Sequence, residues 1–250
     1  MKKYPKPARL KGWDFSQLKV TEEGPRIEYI NITKALLNTR KTLLDVGTGG
    51  AEKFSTVAPR AKTAIAIDVD PNMLKIAADN LHKTHLSNTH LVLCDSDKLP
   101  LAASTVDVAT DRHAPFNPEE IGRILKPNGV FITQQVSEGD KQNVKQIFKR
   151  GQHYGEKTGT RKKAYVKQLR QAGLRVIRHR TVSTTEYYET MRDVIFLLSH
   201  TPVIPDFNFE KEQDELQQIE RTLMAKKGIK TNSERYLIIA TKKAETPKRH

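Results

Sequence analysis

Short, nearly unbroken apolar runs alternate along this chain with stretches in which apolar residues recur every three or four positions. The runs fall at residues 42–46, 63–68, 90–94, 106–111, 129–136, 174–182 and 235–242 and read as strands buried on both faces. The amphipathic stretches near residues 26–38, 50–58, 71–83, 117–125, 140–152 and 161–172 read as helices. Alternation of this kind predicts an α/β fold, a mostly parallel sheet with helices on both faces. Lys126-Pro127-Asn128-Gly129 and Gln171-Ala172-Gly173 stop helices ahead of strands. The rhythm breaks after the sixth run. Tyr187–Ser199 has helical spacing, Thr201–Phe209 is a loop carrying prolines and phenylalanines, and Glu210–Lys226 reads as a polar helix. Residues 183–230 are thus expected to form an insert, either a lid near a substrate site or extra core at the sheet edge. Residues 1–25 form an irregular N-terminal arm, in which Trp13 and Phe15 either fold over a ligand or anchor the arm. The whole of residues 1–250 is read as one domain.

Chemistry enters at the end of the first run. Leu43-Leu44-Asp45-Val46 leads into Gly47-Thr48-Gly49-Gly50, and the next run, Ala64–Ile67, ends in Asp68. Glycines allow a tight turn and close approach to a ligand. The distance from Gly49 to Asp68 is that of a strand–helix–strand nucleotide site, with the second acid placed to take the hydroxyls of a ribose. A dinucleotide fingerprint would put a third glycine or alanine where this chain has Glu52. A carboxylate there competes with a pyrophosphate for the positive end of the helix. Asp45 adds a second negative charge. The pattern suits a ligand with a ribose and positive charge but no phosphate, and S-adenosylmethionine (SAM) has that description.

Residues Leu43–Gly50, Ile65–Leu74, Leu91–Leu101, Val106–Phe116 and Glu119–Thr133 together resemble, in order and spacing, the class I SAM-dependent methyltransferases. The resemblance implies a Rossmann-like sheet of seven strands. It implies cofactor contacts from Asp45, Val46, Gly47, Thr48 and Gly49 at the methionine end, with Arg112 also at the cofactor. Asp68 would take the ribose, Val69 and Met73 would flank the adenine, and Asp95 and Ser96 would reach its amine. Asp70 is expected to cap the helix that starts at Pro71. The segment His113-Ala114-Pro115-Phe116 follows the fourth strand, which faces the transferring methyl in such enzymes. It loosely resembles the acceptor loop of amino-methyltransferases, making His113 a candidate base and Phe116 a candidate stacking platform for substrate. Asp95–Pro100, Ala114-Pro115, Glu119-Glu120 and Lys126–Gly129 resemble the catalytic domain of the ribosomal-RNA guanine-N1 methyltransferases, without their cysteine-built zinc module. Similar motifs occur in small-molecule methyltransferases of quinone biosynthesis.

Charge adds a partner class. The chain carries 43 Lys and Arg against 29 acids, a formal charge of +14. Between Lys141 and Arg180 there are thirteen basic residues and one acid, Glu156, so nearly all of the excess lies in this segment. A local block of this kind fits RNA, with a small-molecule substrate as the alternative and a non-catalytic SAM- or RNA-binding protein as a third reading. The single cysteine, Cys94, excludes a disulfide framework and a cysteine-based zinc site, sits in an apolar strand, and leaves no metal site expected. The basic start Met1–Pro7 is followed by no apolar run, and the longest such run, Val194–Leu198, is far too short to span a bilayer. A cytoplasmic protein is expected.

Overall fold

Five parallel strands organise the sequence-predicted sheet: β2 (Thr42–Val46), β3 (Thr63–Asp68), β4 (Thr89–Leu93), β5 (Val106–Arg112) and β6 (Leu125–Val136). The computed structural model describes residues 4–244; the expected ends of the domain, residues 1–3 and 245–250, lie outside the described residues. The chain divides into two compact units, unit 1 being residues 1–26, 136–161 and 181–235 and unit 2 being residues 27–135, 162–180 and 236–250.

Unit 2 holds seven strands in the order β4-β3-β2-β5-β6-β9-β7, counting the portions of β7 (Leu174–Tyr188) and β9 (Gly228–Lys242) that belong to it. β2 lies at the centre, paired in parallel with β3 and β5, so Asp45 and Thr110 come level, as do Val46 and Asp111. Neighbouring residues of a strand point to opposite faces. Leu43, Ala64, Ala66 and Val108 accordingly pack with α2 (Phe54–Val57) and α3 (Pro71–His82). Leu44, Val46, Ala109 and Phe131 pack on the other side with α4 (Pro118–Ile124) and α6 (Thr160–Gln171). Helix α1 (Tyr29–Leu36) covers β6 and β9 through Tyr29 and Ile132. Helices thus cover both faces, as the alternation predicts.

Two strands beyond the expected seven lie in unit 1. They are β1 (Val20–Glu23), antiparallel to the far end of β7, and β8 (Met224–Ala225), a short hairpin partner of β9. Because β7 continues through Tyr188 to pair with β1, the helix expected from residue 187 begins later, as α7 (Met191–His200). Thr190 and Asp193 close it with a reciprocal capping box. Helix α5 (Gln142–Phe148) is shorter than its pattern because Lys141 and Lys149 take left-handed backbone at its two ends. The polar helix of the insert is α8 (Gln213–Leu223). Val194, Ile195, Leu198, Ile204, Leu216 and Ile219 form the apolar core of unit 1, so the insert builds a core. Phe15 meets the edge of Phe196 at 5.9 Å, which anchors the arm on α7. No helix among the described residues is long and apolar enough to cross a membrane.

Candidate functional site

The site of unit 2 is assembled at the carboxyl ends of β2, β3 and β5. Leaving β2, the chain turns at Gly47 and Gly49 with φ of 64° and 57°. That left-handed backbone suits glycine. A Cβ on Gly47 would also collide with the methyl of Ala114, so the absence of a side chain lets the loop after β2 meet the loop after β5. Ala51 also has positive φ, which delays the helix expected from residue 50 until Phe54. The Asn80 amide of α3 donates to the Gly50 carbonyl at 2.8 Å and holds the loop from above.

Asp68 closes the other side. One carboxylate oxygen accepts the Gly49 N–H at 2.8 Å and the other accepts the Asp70 N–H at 3.0 Å. The carboxylate is therefore fixed against the glycine loop, with its remaining lone pairs left for a ligand. Asp70 caps α3 as expected, accepting from the Asn72 N–H at 2.8 Å. Val69 is an apolar side chain left 67% exposed beside the half-buried Met73, a surface that a flat ring would cover. Asp95 and Ser96 follow β4; one Asp95 oxygen accepts the Asp97 N–H at 2.9 Å and shapes the turn there. Cys94 packs on the core, and burial followed by the Asp95 charge pushes its thiol up, in keeping with a core residue.

Beneath these loops lies a polar nest of which the motifs reveal only Asp45. Asp45 accepts the Thr110 hydroxyl at 2.7 Å, and burial pushes its carboxyl up to about 6. The Thr110 bond and the Arg112 charge pull the other way. Asp111 is fully buried. One of its oxygens accepts the Thr133 hydroxyl at 2.7 Å and also the Gln135 amide, while the other has no hydrogen-bond partner among the described residues. Burial holds this carboxyl well above the usual range, and the Asp45 charge adds to that. Burial first, and then the same two acids, raise the Tyr29 hydroxyl. Gln135 also donates to the Ala114 carbonyl at 2.8 Å, tying the acid to the loop. Asp111 is a polar residue at the end of an apolar strand, and Gln134-Gln135 are two amides inside another. That was the available signal for all three.

His113 stands just beyond, exposed, with φ of 65°. Its N–H donates to the Gln134 carbonyl at 2.9 Å, and its ring Nε2 lies 3.2 Å from the Gln134 side-chain nitrogen. Phe116 does not present a face to substrate. Its ring is buried, stacked on Tyr165 at 4.5 Å and against Phe131 at 4.8 Å, so the stacking role expected of it is taken by the core. No group of three potential metal ligands occurs among the described residues.

The donor set fits a cation. Asp45 and Asp68 bring carboxylates to one loop system, and one oxygen of the buried Asp111 has no hydrogen-bond partner among the described residues. Glu52 folds back on Gly50, where a Cβ would strike its carboxylate, which leaves negative charge at the position a pyrophosphate would need. The fold and site are those of a nucleoside-binding α/β domain for a phosphate-free, positively charged ligand.

Comparison with known proteins extends this. The methyltransferase-domain family matches residues 37–227, and the chain belongs to it. The cofactor is S-adenosylmethionine. Over 121 residues, covering 45% of this chain and 44% of the relative, the chain is 28% identical to the malonyl-acyl-carrier-protein O-methyltransferase of Marinomonas. Over 114 residues, 45% of this chain and 53% of the relative, it is 29% identical to the protein-L-isoaspartate O-methyltransferase of Pyrococcus abyssi. The chain thus spans about half the length of these relatives. The Bacillus halodurans protein BH2331 shares the fold with a TM-score of 0.65 at 20% identity, over 86% of this chain and 97% of that one.

The raised Asp45 carboxyl has a consequence for stability. A carboxyl whose pKa goes up on folding weakens the fold as pH rises above its ordinary value, and the whole penalty is present above about 6. Two pKa units correspond to roughly 2–3 kcal/mol. Asp45→Asn keeps the acceptor for Thr110 and removes the charge. It is expected to raise the melting temperature of the free protein at neutral pH, to change it little near pH 4, and to weaken SAM binding. Thermal unfolding at the two pH values, with and without SAM, tests this.

Proposed function

We propose that this chain transfers the methyl group of SAM to an acceptor seated at the loop Asp111–Ala114, and that the acceptor is RNA. When bound, SAM supplies a methyl made electrophilic by the sulfonium. Alignment of acceptor, methyl and sulfur supplies most of the acceleration in such a displacement. The protein's part is to hold Asp68 and the glycine loop rigid on one side and the Ala114 loop on the other. His113 takes the proton that an amino or hydroxyl acceptor loses as the new bond to carbon forms. The observation that carries this reading is the convergence of two loops, one fixed by Asp68 and one by Gln135, with His113 at their mouth.

An RNA acceptor is supported by the likeness of Asp95–Pro100 and Lys126–Gly129 to guanine-N1 methyltransferases and by the exposed cations of α6. A carboxylate acceptor on a small molecule or a carried acyl group is the second reading, favoured by the two O-methyltransferase relatives. The two readings differ in their need for a base. His113→Ala is expected to lower kcat about a hundredfold for an acceptor that loses a proton and to leave SAM affinity unchanged. A carboxylate acceptor, already ionised, would be nearly indifferent to the change. Transfer of labelled methyl into a lysate, separated into RNA, protein and small-molecule fractions, identifies the acceptor class. Label outside the RNA fraction overturns the RNA reading.

A further inference from the structure

The thirteen basic residues between Lys141 and Arg180 do not form one surface. Lys141 and Lys145 are buried in unit 1, and Arg150 is paired with Glu212 there. The cations of unit 2 behave differently. Lys163, Lys167 and Arg170 are exposed on one face of α6, while Val166 and Leu169 on its other face enter the core. The side chains of Lys163, Lys167 and Arg170 make no ion pair or hydrogen bond among the described residues.

These cations border a groove of about 580 Å³ between α6 and β7, lined also by Lys162, His179 and Gln171. None of its seven lining residues is acidic, and Lys163, Lys167 and Arg170 place three cations along it, so an anionic occupant is the one that relieves their repulsion. Successive cations at positions 163, 167 and 170 are about 6 Å and about 4.5 Å apart along the helix axis. A row of phosphates can meet a row of cations so spaced.

We infer that the α6–β7 groove is a docking surface for the phosphate backbone of double-helical RNA, the inference resting on the reading of the chain as an RNA methyltransferase. Three features select this occupant. A protein partner would need apolar or aromatic anchors, since the centre of such interfaces is depleted in lysine. Here the one apolar lining residue, Val166, is buried. A single strand would need aromatic faces for its bases. The aromatic residue of α6, Tyr165, has its ring stacked on Phe116 instead. RNA differs from DNA by a hydroxyl that both donates and accepts, and Gln171 and His179 are the lining side chains able to do both.

The test uses the full chain without SAM. Fluorescence titrations would compare an RNA duplex of about 16 base pairs, the DNA duplex of the same sequence, a single-stranded RNA and polyglutamate. The duplex RNA is expected to bind most tightly. Its log Kd against log salt should lose about 0.9 in slope for each phosphate contact removed in Lys163→Ala/Lys167→Ala/Arg170→Ala. That variant should bind SAM as the parent does, which shows that it is folded. Equal salt slopes for parent and triple variant, or tighter binding of polyglutamate, DNA or single strand, overturn the proposal. The outcome is separable from the activity. Groove-dependent binding of the duplex without methyl transfer to any RNA keeps the groove and overturns the acceptor reading. Methyl transfer to RNA that the triple variant leaves intact does the reverse.

Discussion

Asp68→Ala is expected to weaken SAM binding about a thousandfold. The carboxylate sits at the end of β3, pinned by the Gly49 and Asp70 N–H groups at 2.8 and 3.0 Å. The carboxylate accepts no other hydrogen bond among the described residues, which leaves lone pairs for the ribose hydroxyls expected there. A hydrogen bond to a charged group contributes roughly 1.5–3 kcal/mol, and two lost to the ribose hydroxyls sum to about 4 kcal/mol. At about 1.4 kcal/mol per decade that is three orders of magnitude. Loss of the Gly49 contact adds to the effect by loosening the loop. Asp68→Asn keeps one acceptor oxygen and should fall between the two. Calorimetric titration with SAM reads all three proteins. An unchanged affinity in Asp68→Ala would remove the residue from the cofactor site.

Most of this site was legible in the sequence because its parts are local. The glycine loop, Asp68 and the Asp70 cap each announce themselves within a few residues, by backbone requirements that only certain side chains meet. The strands β2 and β3 were readable to the residue, since both are apolar runs ended by a carboxylate. What escaped depends on partners distant in the chain. Asp111 matters because Gln135, 24 residues later, reaches it from the neighbouring strand β6, and sequence spacing does not report such a contact. Phe116 read as a ligand platform because its neighbours resemble an acceptor loop; Tyr165, nearly fifty residues on, claims its ring. β1 escaped because its pattern, VTEE, is one half-buried valine followed by exposed positions, with no apolar face to reveal it. The basic block was visible as composition, but its partition into buried and exposed cations follows from tertiary structure alone.

That partition supplies a second strong expectation. In unit 1, Arg235 is half-buried and paired with the buried Asp140, and Lys141 is buried and paired with Glu186, which also accepts the Tyr188 hydroxyl at 2.6 Å. Burial pushes the Asp140 carboxyl up, but the Arg235 and Lys141 charges and the Glu234 N–H more than reverse it, leaving it below the usual range. Glu186 follows the same course, with Lys141 as its chief counterweight. Asp140→Ala leaves the half-buried guanidinium and the Glu234 N–H without their shared partner, a change expected to cost about 3 kcal/mol, the low end for buried pairs. Arg235→Met in the same chain should recover much of that loss, because removing both charges removes the desolvation cost with them. The pH dependence fixes the sign. Carboxyls lowered by folding contribute stability that is fully present above their ordinary values near 4, and it is lost as pH falls through their folded values. The parent should therefore lose stability steeply in acid. The double variant, which keeps only the Lys141–Glu186 pair, should lose it less steeply. Urea unfolding across that range measures both slopes, and an Asp140→Ala chain as stable as the parent would mean that the Arg235 guanidinium finds water or another acid.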